Sequence, residues 1–130
     1  MLGLICFGIM GEGIAKSLIN SGYNLIVYDI CGEVKEKVIK IGALFTPSLE
    51  EVYRRSDIIF LSLPSPREVE EVLFKDDITK EIRKGTFIVN FSTIGAKASI
   101  RIADRIRNLG AKFIDAPVSR APRKSPGEYT

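Results

Sequence analysis

The sequence predicts an α/β fold, a doubly wound parallel sheet in three αβα layers, on two observations. Six short apolar runs alternate with amphipathic stretches of helical period along 130 residues, the pattern of parallel strands joined by crossover helices. The first run, Leu2 to Phe7, leads into a turn with Gly8 and Gly11, and an amphipathic segment follows at once. That is the order of a dinucleotide-binding βαβ unit. In such a turn Gly8 lets the main chain approach a pyrophosphate and Gly11 lets the new helix pack hard on the strand. The helix N-terminus offers unpaired N–H groups and a partial positive charge to the phosphates. Cys6 stands where the fingerprint has its first glycine. If that position needs a positive φ, a side chain there costs on the order of 1–2 kcal/mol; if it needs only a compact residue, cysteine serves.

The remaining elements follow in order. Ile14, Ala15, Leu18 and Ile19 form a helical apolar stripe that Ser21-Gly22 ends, and Tyr23 to Tyr28 is a β-branched and aromatic strand ending at Asp29. Asp29 lies eighteen positions past Gly11, close to where this class of fold places the acceptor for the ribose hydroxyls. A carboxylate there repels a 2′-phosphate, and no arginine at 30–32 offsets it, so the expected cofactor is NAD, with NADP disfavoured. The other reading of Asp29 is a turn residue paired with Gly32. Val34, Val38 and Ile41 mark the next helix, closed by Gly42, and Ala43 to Phe45 a short strand. Ser48 with Glu51, and Ser65 with Glu68, read as capping boxes, the second with Pro66 at the first helical position. Between them, Asp57 to Leu63 is an apolar run of the kind buried on both sheet faces. Asp76 to Lys84 is a polar connection, Gly85 to Asn90 a fifth strand, and Ile102, Ala103, Ile106 and Leu109 the buried stripe of a basic helix ending at Gly110. Ala111 to Asp115 is the sixth strand. The predicted strand order is 3-2-1-4-5-6, a Rossmann sheet, whose ligands bind outside the carboxyl ends of the strands.

Composition narrows the function classes. The chain is 45% hydrophobic and 27% charged with a net charge of +3, ordinary for one globular domain. The charge is too mild, and the aromatic surface too sparse, to expect nucleic acid as a partner. No apolar run is long enough to expect a membrane span, and a cytoplasmic location is expected. There is no histidine, which excludes histidine-based triads and zinc sites. No metal is expected from Cys6 and Cys31, which lack ligand spacing; a disulfide between them is an open alternative.

Four segments then carry a family resemblance: Phe7-Gly-Ile-Met-Gly11, Leu63-Pro64, Ser92-Thr-Ile94 and Asp115-Ala-Pro-Val-Ser119. In this order and spacing the chain resembles the β-hydroxyacid dehydrogenases, the family of 3-hydroxyisobutyrate dehydrogenase and tartronate semialdehyde reductase, with 6-phosphogluconate dehydrogenase as a relative. The resemblance implies that Gly8, Ile9, Met10, Gly11, Leu63, Pro64 and Thr93 line the dinucleotide site, beside Asp29. It implies that Ser92 and Ser119 hold a small hydroxy-acid or semialdehyde substrate. Each has a plainer alternative: Met10 as a core-edge residue, Pro64 as a strand exit, Ser92 and Thr93 as a helix start, Ser119 as a loop hydroxyl. Arg120-Ala121 replaces the family's glycine pair; Arg120 is either a bidentate partner for a substrate carboxylate or a solvated loop residue.

The resemblance also implies a following helical domain that carries the catalytic lysine. Lys97, Lys112 and Lys124 do not match it, so no catalytic residue is expected in this chain. The expected division is a dinucleotide-binding domain over 1–116 and a substrate-anchoring loop and connection over 117–130. Three functions stay open: the NAD-binding domain of an oxidoreductase, a non-catalytic dinucleotide-binding module (a sensor or a decayed gene product), and a subunit completed by a separate helical chain. A homodimer, or association with the missing helical domain, is expected because exposed apolar surface would otherwise remain.

Overall fold

The computed structural model describes residues 1–116. Six parallel strands form one sheet in the order β3-β2-β1-β4-β5-β6. They are β1 (Leu2–Ile5), β2 (Leu25–Tyr28), β3 (Leu44–Thr46), β4 (Ile58–Leu61), β5 (Phe87–Asn90) and β6 (Lys112–Asp115). The helices are α1 (Ile9–Asn20), α2 (Lys35–Lys40), α3 (Leu49–Arg55), α4 (Pro66–Phe74) and α5 (Ala96–Asn108). Short 3-10 turns at Gly32–Val34 and Ile78–Glu81 complete the connections. Among the described residues no helix is long and apolar enough to cross a membrane.

Three helices, α1, α2 and α5, leave their last turns in one recurring way. Gly22, Gly42 and Gly110 have φ of 91°, 97° and 83°. Their N–H groups donate to Ile19, Ile39 and Arg107, and the next residues, Tyr23, Ala43 and Ala111, donate back to Leu18, Val38 and Ile106. This is the Schellman closure, which satisfies orphan carbonyls at a helix end. It also explains why strands 2, 3 and 6 begin one or two residues later than the apolar runs suggest. The N–H groups of Tyr23, Ala43 and Ala111 are spent on the helix and cannot join the ladder. Strand 5 begins at Phe87 because Gly85 (φ 86°) and Thr86 still turn, Thr86 N–H donating to Arg83.

The two capping boxes differ from expectation. Ser48 accepts from Glu51 N–H at 3.3 Å, as expected, but the Glu51 carboxylate takes a 2.5 Å bond from the Thr46 hydroxyl. Ser65 caps no backbone N–H; its hydroxyl donates to the Glu68 carboxylate at 2.5 Å instead.

Right-handed crossovers place the helices by face. Helices α1 and α2 pack on Leu4, Leu25 and Val27 on one side. Helices α3, α4 and α5 pack on Ile5, Ile59, Leu61 and Ile88 on the other. The expectation that strand 4 is buried on both faces fails here. Ile59 and Leu61 are fully buried, whereas Ile58 and Phe60, on the α1–α2 face, are half-buried. The register sets Phe60, Val89 and Ile114 in one row and Ile58 and Phe87 in the next. Phe87 and Ile114 are 37% and 45% exposed. Among the described residues, α1 and α2 shield β1–β3 on this face and leave β4–β6 open.

Candidate functional site

The carboxyl ends of the strands share one edge, with β1 at the reversal of strand order, where open α/β sheets bind ligands. Chain geometry there begins at Cys6, whose φ is 79°. The position does need a left-handed backbone, so the cysteine carries a strain on the order of 1–2 kcal/mol. Cys6 N–H donates to Tyr28 O at 2.8 Å, extending the β1–β2 ladder by one bond. Burial pushes the Cys6 thiol up, and the Asp29 and Glu68 carboxylates add to the rise against a hydrogen bond from Gly8. The thiol is therefore neutral at pH 7 and adds no negative charge where a phosphate would sit.

Gly11 and Gly8 differ in what they are for. A Cβ on Gly11 would overlap the Cys6 carbonyl oxygen and stand 3.1 Å from its carbon. This glycine is required by the packing of α1 on β1. Among the described residues a Cβ on Gly8 would meet nothing within 4 Å. Among the described residues no contact calls for a glycine at position 8, whereas a ligand seated on the helix N-terminus would. Ile9 beside it is 97% exposed, and Met10 is half-buried.

Asp29, at the end of β2, ties the turn down. Its Oδ2 accepts from Phe7 N–H at 2.8 Å and its Oδ1 from Cys31 N–H at 2.9 Å. A carboxylate has about four acceptor positions, so two stay open for hydroxyl groups. Both readings of Asp29 are thus compatible in one side chain. Beside it lies a cleft of about 690 Å³ lined by Ile5, Cys6, Tyr28, Asp29, Leu63 and Val72 among others. That volume is in the range of small-molecule sites. Ile30, 91% exposed, stands at its wall.

The structure thus brings Asp29 and Leu63 together on the cleft and sets Gly8, Ile9, Met10 and Gly11 at the start of α1 next to it. Pro64 and Thr93 are exposed on neighbouring strand exits. Ser92 is 4% exposed and its Oγ accepts from Leu63 N–H at 2.7 Å. Its hydroxyl braces the exits of β4 and β5, in addition to any contact with a ligand. Ser119 and Arg120 lie outside the described residues. Cys6 and Cys31 are both free thiols, so the disulfide alternative is set aside. Among the described residues there is no cluster of three metal-binding side chains.

Sequence reasoning missed Asn90. It is fully buried at the end of β5 and joins the strand exits around Ser92. A polar residue closing an apolar run was the available signal, but it is equally the signal of an ordinary turn.

Comparison with known proteins accords with this geometry. The family described as the NAD binding domain of 6-phosphogluconate dehydrogenase matches residues 1–126. The 2-hydroxy-3-oxopropionate reductase of Escherichia coli is 40% identical over 119 residues, covering 91% of this chain and 40% of that protein. Mitochondrial 3-hydroxyisobutyrate dehydrogenase of Mus musculus is 36% identical over 119 residues, covering 91% of this chain and 36% of that enzyme. The solved Mycobacterium tuberculosis 3-hydroxyisobutyrate dehydrogenase with L-serine superposes with a TM-score of 0.85 at 21% identity. It covers 91% of this chain and 40% of that one, and shows the same fold. The chain spans about two fifths of the length of these relatives.

Proposed function

The chain belongs to the family of 6-phosphogluconate dehydrogenase NAD-binding domains, and from that premise we propose that it binds NAD in preference to NADP. The pyrophosphate rests on the N-terminus of α1 over Gly8 to Gly11, with Ile9 and Met10 beside it. Asp29 accepts from the adenosine ribose hydroxyls, and Leu63, Pro64 and Thr93 line the rest of the cofactor. The observation that carries this reading is the pair of glycines, Gly11 needed by the packing and Gly8 by no contact among the described residues. The preference for NAD rests on charge. A 2′-phosphate near the Asp29 carboxylate meets a like charge, whereas ribose hydroxyls find two vacant acceptor positions.

In a complete oxidoreductase the dinucleotide supplies hydride exchange with the carbinol carbon of a small hydroxy acid or the corresponding semialdehyde. This chain's part is to hold and orient. Ser92 and Ser119, with Arg120 reaching a carboxylate, would grip the acid. The proton-transferring lysine would come from a helical domain outside these residues. Two free cysteines suit a reducing compartment such as the cytoplasm.

Among the described residues the apolar face of β4–β6 stays open, with Phe87 and Ile114 at its edge, which favours a domain completed by further polypeptide over a solitary sensor. A homodimer or an added helical domain would cover it; sedimentation velocity across a concentration series separates self-association from monomer. The cofactor reading is tested by Asp29→Ser. The NADH-over-NADPH preference of the parent chain should shrink about tenfold or more, the loss of roughly 1.4 kcal/mol of discrimination. An unchanged ratio removes Asp29 from the role.

A further inference from the structure

The second half of the site is held by a side chain that no motif points to. Asn90 donates from Nδ2 to Ser92 O at 2.9 Å and to Asp115 Oδ1 at 3.1 Å, and accepts at Oδ1 from Ser92 N–H at 3.0 Å. Its amide orientation follows from the partners, two acceptors on one side and a donor on the other. Its own carbonyl accepts from Ala116 N–H at 2.8 Å. Ser92 in turn takes Leu63 N–H on its Oγ. Two buried residues, Asn90 and Ser92, therefore join the exits of β4, β5 and β6, as Asp29 joins the exits of β1 and β2 on the other side.

Buried polar groups whose partners are all present rigidify the segments they join. A doubly wound sheet is two mononucleotide-binding halves, β1–β3 and β4–β6. The two clamps divide along that line. Asp29 fixes the turn that takes the adenosine half. Asn90 fixes Ser92-Thr93 and Ala116 directly, and Leu63-Pro64 through Ser92.

We propose that Asn90 is a positioning residue for the nicotinamide half of the cofactor, acting by locking the exits of β4, β5 and β6 into one rigid unit. It touches no ligand itself. The proposal rests on the dinucleotide reading above and separates from it by experiment, because ADP contains the adenosine half alone and NADH contains both.

The test is calorimetric titration of the parent chain, Asn90→Ala and Asp115→Ala with ADP and with NADH, alongside thermal melts. The parent chain is expected to bind both ligands, NADH more tightly. Asn90→Ala should weaken NADH about tenfold, the scale of one well-made hydrogen-bonded group, and leave ADP unchanged. Asp115→Ala removes one of the three side-chain bonds at an exposed residue, so it keeps the fold and should give a smaller loss of the same selectivity. Equal weakening of ADP and NADH in both variants would mean a merely structural role and overturn the proposal. So would a parent chain that binds NADH no better than ADP, although the adenosine site would then stand. A parent chain that binds neither ligand would overturn the dinucleotide reading and this proposal with it.

Discussion

Replacing Gly11 and Gly8 in turn by alanine separates what the fold requires from what the ligand requires. In Gly11→Ala the new methyl overlaps the Cys6 carbonyl oxygen and stands 3.1 Å from the carbonyl carbon. Neither side can yield by rotating a side chain, since the Cys6–Phe7 peptide is held by the bond from Phe7 N–H to Asp29 Oδ2 and the alanine is part of α1. Relief requires moving the start of α1 away from β1 by about 1 Å, and overpacking of this kind costs about 1–3 kcal/mol. Because the obstacle is main chain, the upper end applies. At this chain length that is a fall in Tm of about 8–15 °C, taking about 3–5 °C per kcal/mol. Gly8→Ala meets nothing within 4 Å among the described residues. Its stability should match the parent or exceed it by about 0.5 kcal/mol through a less flexible unfolded chain. Its affinity for NADH should fall at least about tenfold, because the methyl stands where the pyrophosphate must approach. Urea unfolding gives the first quantity and calorimetric titration the second. A stable Gly11→Ala, or a Gly8→Ala that binds as the parent does, would refute the reasoning.

Other changes follow from single features of the structure. Cys6→Gly relieves a positive-φ strain of about 1–2 kcal/mol against a glycine entropy cost of about 0.5–1 kcal/mol, so urea midpoints should show a small net gain, with NADH binding at least as tight. Ser56→Ala removes a fully buried Oγ that has no hydrogen-bond partner among the described residues, and should raise stability by about 1 kcal/mol in the same assay. Asp57 is bonded by Arg83 and the amino terminus, which hold its carboxyl below its ordinary value of 3.8. Its folded pKa being depressed, its contribution is present above the unfolded value and is lost as pH falls through the folded one. Thermal melts from pH 7 down to pH 2 should therefore converge for the parent and Asp57→Asn below pH 4; a constant gap would contradict this.

The large-scale architecture was legible because it depends on pattern alone. Six apolar runs with helical stretches between them, plus the right-handed crossover rule, lead to one strand order. The placement of Asp29 was legible because a strand end near the glycine turn follows from the alternation of runs. What stayed hidden depends on where individual N–H groups go. Tyr23, Ala43 and Ala111 look like strand residues by composition, yet their N–H groups close the preceding helices. Ser65 has the spacing of a cap, but its hydroxyl finds the Glu68 carboxylate first. The question at Cys6 is a matter of one dihedral angle, which no side-chain pattern encodes. Ser92 and Asn90 reach Leu63 and Asp115, 29 and 25 positions away in the chain, so the sequence around β5 does not reveal those partners. Burial on both sides of β4 failed for a related reason: apolar content states what a face could bury, not whether a helix arrives to cover it.

The most direct measurement is a pair of calorimetric titrations of the parent chain, one with NADH and one with NADPH, under identical buffer and salt. NADH binding in the micromolar range, about −8 kcal/mol, with NADPH at least about tenfold weaker, is the outcome that the Gly8 turn and the Asp29 carboxylate predict. Tighter binding of NADPH would contradict the charge argument at Asp29. Binding of neither would contradict the central claim that this edge of the sheet is a working dinucleotide site.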